Sequence, residues 1–306
     1  MGGSIVAERH FVSKLEDVRL HLLNKRLDGR ARPPRGPVLF VHGSSMASEP
    51  CFDLMVGDSD AYSLMNLFAR EGFDAWCLDC EGYGRSDKWR DRDYDVADGI
   101  DDLEVAVGHI LDHTKRERVH LYGGSSGALR AAGYASRRPD RVDRLVLDAL
   151  VWTGEGSPTL TERRKRLPQF QAARRRPLDA AFIRTIFERD HPGTADPEVI
   201  AAFSEAVVAL DTSIPNGTYI DMCTKLPLVD PASIHAPTLI MRGEWDGIAA
   251  FEDVAAFFAR IPHPDKQFAV LPGIAHSSFH GKNHALAKHV LLSFLTRPEP
   301  VYTGRD

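Results

Sequence analysis

Short continuous apolar runs recur along the chain, separated by stretches with helical spacing. Residues 38–41 (VLFV) and 73–79 (FDAWCLD) read as buried strands, and 118–124 (RVHLYGG), 144–150 (RLVLDAL), 238–243 (TLIMRG) and 267–271 (QFAVL) read as further strands. Residues 18–27 (VRLHLLNKRL) read as a further strand, preceded by a weakly ordered N-terminus. The Pro- and Gly-bearing stretch 28–37 reads as a loop. Val96, Ile100, Leu103, Val107 and Ile110 recur at spacings of 4, 3, 4 and 3, which predicts an amphipathic helix. Further helices are expected near 61–70, 128–136, 252–261 and 283–295. From 151 to 234 the alternation stops, and the chain reads as mostly helical with repeated Pro and Gly breaks.

Strand and helix alternating in this way predict an α/β fold, a mostly parallel sheet with helices on both faces. Residues 1–150 and 235–306 form this core, and 151–234 read as an inserted helical lid. The composition fits a globular chain: 306 residues, 43% hydrophobic and 26% charged. The net charge of −5 gives no global attraction to nucleic acid or an anionic membrane. Four cysteines in this length do not make a disulfide framework. Cys77 and Cys80 stand three apart on one strand, on opposite faces, and no second pair follows at zinc-site spacing, so neither a redox nor a metal role is expected. The opening MGGSIVAERH lacks the pattern of a signal peptide, and no apolar run approaches the roughly 20 residues of a membrane helix. A soluble, cytoplasmic protein is expected.

The chemistry concentrates at Gly123-Gly124-Ser125-Ser126-Gly127, a G-x-S-x-G at the junction of a predicted strand and helix. A serine presented for attack must sit on a sharp turn, and small neighbours two residues away keep their side chains from colliding. With this context the chain resembles the α/β-hydrolase family over nearly its whole length outside the lid. Val41-His42-Gly43-Ser44 is similar to the family's His-Gly loop beside the oxyanion hole. Asp79-Cys80-Glu81-Gly82-Tyr83-Gly84-Arg85-Ser86 is similar to its D-x-x-G-x-G-x-S segment, with Glu81 where Arg or Pro is usual.

The resemblance implies Ser125 as nucleophile, then an acid and a histidine in that chain order. The pattern R-G-x-x-D places the acid at Asp246 and G-x-x-H places the base at His276. Glu244 and Asp148 are the competing acids. Oxyanion donors are expected from the backbone N–H of Ser126 and that of Ser44 or Ser45.

Other features read more plainly. His276, His280, His284 and His289 tempt a metal reading, but Gly281 interrupts the run and no carboxylates accompany it, so surface histidines are expected. Seven of the 14 residues from 163 to 176 are Arg or Lys. This run could attract an anionic substrate, yet residues 152–231 hold 10 basic against 11 acidic residues, which favours a solvated helix face. The aromatics Trp152, Phe170, Phe182, Phe187, Phe203 and Tyr219 read mostly as lid core, with one or two lining an apolar pocket.

A serine nucleophile points away from dehalogenases and epoxide hydrolases, which use a carboxylate. The expected activity is cleavage of a carboxylic ester or lactone of a small hydrophobic or aromatic substrate through an acyl-enzyme, with no metal or organic cofactor. The same residues serve a proline-iminopeptidase-like reaction, in which Glu155 or Glu162 would hold the substrate amine. They also serve C–C bond hydrolysis and acyl transfer. A binding protein or a non-hydrolytic biosynthetic enzyme on the same fold is the reading from a different class.

Overall fold

The computed structural model describes residues 3–29 and 34–302, so the predicted loop at 28–37 lies partly outside the described residues. Among them, eight strands form one sheet: β1 (Ile5–Leu15), β2 (Val18–Leu27), β3 (Pro37–Val41), β4 (Asp74–Asp79), β5 (Val119–Gly124), β6 (Val142–Asp148), β9 (Thr238–Gly243) and β10 (Lys266–Leu271). Their spatial order is β1-β2-β4-β3-β5-β6-β9-β10. The pairs from β4 to β10 are parallel, and β2 is antiparallel to both neighbours. β7 (Arg175–Pro177) and β8 (Ser213–Pro215) make a separate small pair.

Two apolar layers sandwich the sheet, as continuous apolar strands require. On β3, Val38 and Phe40 pack into one layer, and Leu39 and Val41 into the other. The first layer is closed by α2 (Leu64–Arg70) and α11 (His284–Thr296), and the short α1 (Ser48–Phe52) contributes Phe52 to it. The second layer is closed by α3 (Val96–Thr114), α4 (Ser126–Arg137) and α10 (Phe251–Arg260). The predicted 96–110 periodicity is the buried stripe of α3, whose first turn is fixed by a reciprocal Asp95–Asp98 capping box. No helix among the described residues is long and apolar enough to cross a membrane.

The N-terminus is not weakly ordered. It forms β1, paired with β2 along nearly its whole length. Its polarity is mixed for a strand: Phe11 and Leu15 face solvent, while Lys14 points inward to Glu81 (3.0 Å) and Asp102 (2.6 Å). An edge strand with inward charge carries no apolar alternation to read, and such charges also discourage edge-to-edge pairing. The unusual Glu81 is thereby explained. Buried and paired to Lys14 and Arg90, it ties β1 to the loop after β4. Asp79, in the same segment, accepts from Ser48 N and Oγ, from Arg85 N and from buried His21.

Between β6 and β9 the chain carries α5 (Pro158–Lys165), α6 (Leu167–Gln171), α7 (Ala180–Glu188), α8 (Pro197–Leu210) and α9 (Gly217–Thr224), with β7 and β8 among them. Its entry is clamped by Asp253 of α10, which accepts from the backbone N–H of Trp152, Thr153 and Gly154 at 3.0–3.1 Å. Arg130 of α4 reaches Thr218 of α9 at 3.0 Å and the carbonyl of His42 at 3.1 Å, so one buried guanidinium joins this segment to the loop after β3. The Cys77 and Cys80 thiols are buried and unbridged.

Candidate active site

Ser125 stands between the end of β5 and the first residue of α4, with φ 56° and ψ −126°. A non-glycine residue in this region stores strain, and the surroundings hold it there. Its N–H donates to Asp148 O at 2.8 Å. The motif glycines have a steric reason. A Cβ on Gly123 would lie 2.3 Å from Gly127 O, and one on Gly127 would lie 2.4 Å from Val41 O.

The loops after β9 and β10 bring Asp246 and His276 to the same place. His276 Nε2 is 3.0 Å from Ser125 Oγ, and Nδ1 is 3.1 Å from each oxygen of Asp246. A carboxylate on Nδ1 holds the imidazole proton there and leaves Nε2 free to accept from the serine hydroxyl. Burial alone would raise the Asp246 carboxyl. The charge and hydrogen bond of His276, with N–H donors from Ile248 and Ala249, outweigh it and bring the pKa to about 2. Asp246 is therefore ionised at neutral pH, with Oδ1 near Ile248 N, Ala249 N and His276 Nδ1.

The competing acids go elsewhere. Glu244 is exposed and accepts from Gly273 N at 2.8 Å. Asp148 is buried and lines the pocket, but its oxygens accept from Tyr122 (2.8 Å) and Ser278 (3.0 Å) rather than from His276. Burial raises its carboxyl to about 6, against those two hydrogen bonds. Because the folded value lies above the roughly 4 of an unfolded aspartate, its contribution to stability is complete below pH ~4 and is lost as pH rises through ~6, on the order of 3 kcal/mol. Asp148→Asn removes this titration. Denaturant unfolding at pH 4 and pH 7.5 should show the variant gaining on the wild type by that order, and equal pH dependence in the two proteins would contradict the assignment.

The loop after β3 faces the serine. A Cβ on Gly43 would stand 3.2 Å from Ser125 Cβ and 3.6 Å from Oγ. His42 fixes the loop. Burial, then the Arg130 charge, push its pKa to about 4, so it is neutral. Its Nε2 accepts from Cys80 N at 3.0 Å, which puts the proton on Nδ1, facing Gly43 O at 2.6 Å. Ser44 and Ser45 both line the pocket, and Ser126 opens α4, where a helix N–H has no partner within the helix. The Ser45 hydroxyl is turned to Tyr219 OH at 3.0 Å.

Three expectations need correction. His280 is not a surface residue: it is buried, with burial pushing its pKa to about 3. The basic run is not simply a solvated face: Arg163 and Arg176 are buried, and Arg163 lines the pocket. Phe187, Phe203 and Tyr219 all line the pocket, more of the aromatics than expected. Glu155 and Glu162, the amine-binding candidates, are exposed and outside it.

Residues 32–283 match the family described as serine aminopeptidase, S33. The chain belongs to this family of α/β-hydrolases. It is 26% identical over 296 residues to the AB hydrolase superfamily protein YisY of Bacillus subtilis, covering 92% of this chain and 94% of that one. Over 124 residues, 40% of this chain and 38% of the relative, it is 32% identical to a 2-hydroxy-6-oxononadienedioate/2-hydroxy-6-oxononatrienedioate hydrolase of Paraburkholderia phymatum. A thermophilic esterase from Thermogutta terrifontis shares the fold, with a TM-score of 0.67 at 21% identity, covering 94% of this chain and all of that one. The topology thus shows the fold, and the family match supports a hydrolase.

Proposed function

We propose that this α/β-hydrolase cleaves a carboxylic ester or lactone of a small, largely apolar or aromatic substrate through an acyl-enzyme on Ser125. The observation that carries this reading is the continuous relay from Asp246 through His276 to Ser125, opening into a pocket with Met46, Phe52, Ile186, Phe187 and Phe203 on its walls. Ser125 Oγ attacks the carbonyl as His276 Nε2 takes its proton, and Asp246 stabilises the imidazolium. The backbone N–H groups of Ser126 and of Ser44 or Ser45 receive the oxyanion. His276 then protonates the leaving alcohol and activates water for deacylation. Each proton has a side chain to carry it, so the scheme calls for no metal or organic cofactor.

The cavity over Ser125 has a volume of about 90 Å³, where one water needs roughly 10–15 Å³. Short acyl groups therefore fit best. A p-nitrophenyl ester series from acetyl to dodecanoyl should show Ser125-dependent turnover that is greatest at the short end. Silence from folded protein across the series would remove the ester reading. A C–C hydrolase is the second reading, favoured by the local match to the oxo-dienedioate hydrolase. The peptidase reading is weaker, because the pocket presents Arg163 and Arg189 where a substrate amine would need carboxylates.

A further inference from the structure

The pocket over Ser125 has one strongly cationic corner. Arg163 of α5 is 9% exposed and lines the pocket, as do Arg189, directly after α7, and Tyr219 of α9. The guanidinium carbons of Arg163 and Arg176 lie 3.7 and 3.6 Å from the centre of the Tyr219 ring. Two groups of that size at that distance cannot share one face, so the ring is held between them. Arg176 is engaged by protein oxygens, donating to Pro215 O, Asn216 Oδ1 and Ser44 O. Arg163 is not: its polar contact is Met222 Sδ at 3.7 Å, and among the described residues no carboxylate pairs with it. Arg189 meets one carboxylate, Asp190, at 3.4 Å from Nε.

A buried guanidinium paired with no carboxylate is costly. Charged groups held in so costly a setting cluster at functional sites, where a ligand anion would supply the missing partner. The neighbourhood behaves as a positive site: burial would raise the Tyr219 phenol, yet Arg163 and Arg176 bring it down to about 7. The planar fork of an arginine matches a carboxylate in a bidentate way that a point charge does not.

We propose that Arg163, supported by Arg189, is the anion-binding subsite of this pocket, and that the substrate is a small ester whose acyl part carries a free carboxylate. This rests on the serine-hydrolase reading and names its substrate class. The basic run in the sequence is then the source of the specificity, with Arg163 placed inward one helical turn after buried Leu160.

The test compares two esters of similar size, mono-p-nitrophenyl glutarate and p-nitrophenyl pentanoate, on the wild type, Arg163→Met and Arg163→Lys, each checked for a native circular dichroism spectrum. The wild type should prefer the anionic ester, and Arg163→Met should lower the ratio of the two kcat/KM values by about 10- to 100-fold, the worth of a hydrogen-bonded charge pair. Arg163→Lys should keep part of the preference. A structural role for Arg163 lowers both rates together and leaves the ratio unchanged, which overturns the proposal, as does a wild type that does not discriminate. A second readout does not depend on turnover: calorimetric titration with free glutarate should give saturable binding to the wild type and none to Arg163→Met. Turnover of the neutral ester with no preference and no glutarate binding refutes the subsite alone. Glutarate binding without turnover of either ester supports the subsite and refutes the ester chemistry. Neither turnover nor binding refutes both.

Discussion

Ser125→Ala is expected to lower kcat on a short p-nitrophenyl ester by on the order of 10⁵- to 10⁶-fold, roughly 7–8 kcal/mol of transition-state stabilisation. KM should change little, because the hydroxyl contributes to the reaction and not to holding the ground state. The residual rate should still exceed that in water, since donors at Ser126 and at the loop after β3 remain in place. Folding should survive the change. The strained φ of 56° at position 125 is imposed by β5, α4 and the bond to Asp148 O, none of which depends on the hydroxyl. Comparing kcat with the unfolding midpoint separates the two effects. A variant retaining more than about a tenth of wild-type turnover would remove Ser125 from the mechanism.

Asp246→Asn should cost on the order of 10⁴-fold in kcat, and Asp148→Asn less than about tenfold. Both carboxylates are buried beside the pocket, yet they occupy opposite electrostatic situations. Asp246 is held near 2 by His276 and two N–H donors, whereas burial dominates at Asp148 and raises it to about 6. Only Asp246 touches imidazole, so only its loss presents the wrong ring nitrogen to Ser125. Steady-state kcat for the two variants on one ester decides the matter, and a larger fall for Asp148→Asn would move the acid to the end of β6.

The parallel strands and the residues that meet at Ser125 were legible because each depends on local rules. A strand covered on both faces is apolar throughout. A serine on a strand–helix turn needs glycines where Gly123 and Gly127 stand, and the acid and histidine follow strand ends in a set order. β1 was not legible, because Glu8, His10 and Lys14 share its inward face with Val6 and Val12 and break the apolar alternation, each satisfied by partners from β2, α3 or the loop after β4. α1 has only five residues, too few for a helical period to show. Arg163 presented a signal that composition obscured. Averaged over the whole segment the charge balances, but burial is decided residue by residue. On α5, Arg163 shares the buried face of Leu160, while Arg164 and, just past the helix end, Arg166 are exposed. Asp148 called for knowledge of the tertiary partners Tyr122 and Ser278, which lie 26 residues before it and 130 after it.

The measurement that bears most directly on the mechanism is covalent labelling with a fluorophosphonate, followed by intact-mass and peptide analysis. An activated serine displaces fluoride and keeps the phosphonyl group, because no relay is arranged to hydrolyse it. One adduct per chain is expected, on the peptide that contains Ser125, absent from Ser125→Ala and formed far more slowly by His276→Ala. Folded wild-type protein that stays unmodified, or carries its adduct at another residue, would contradict the account.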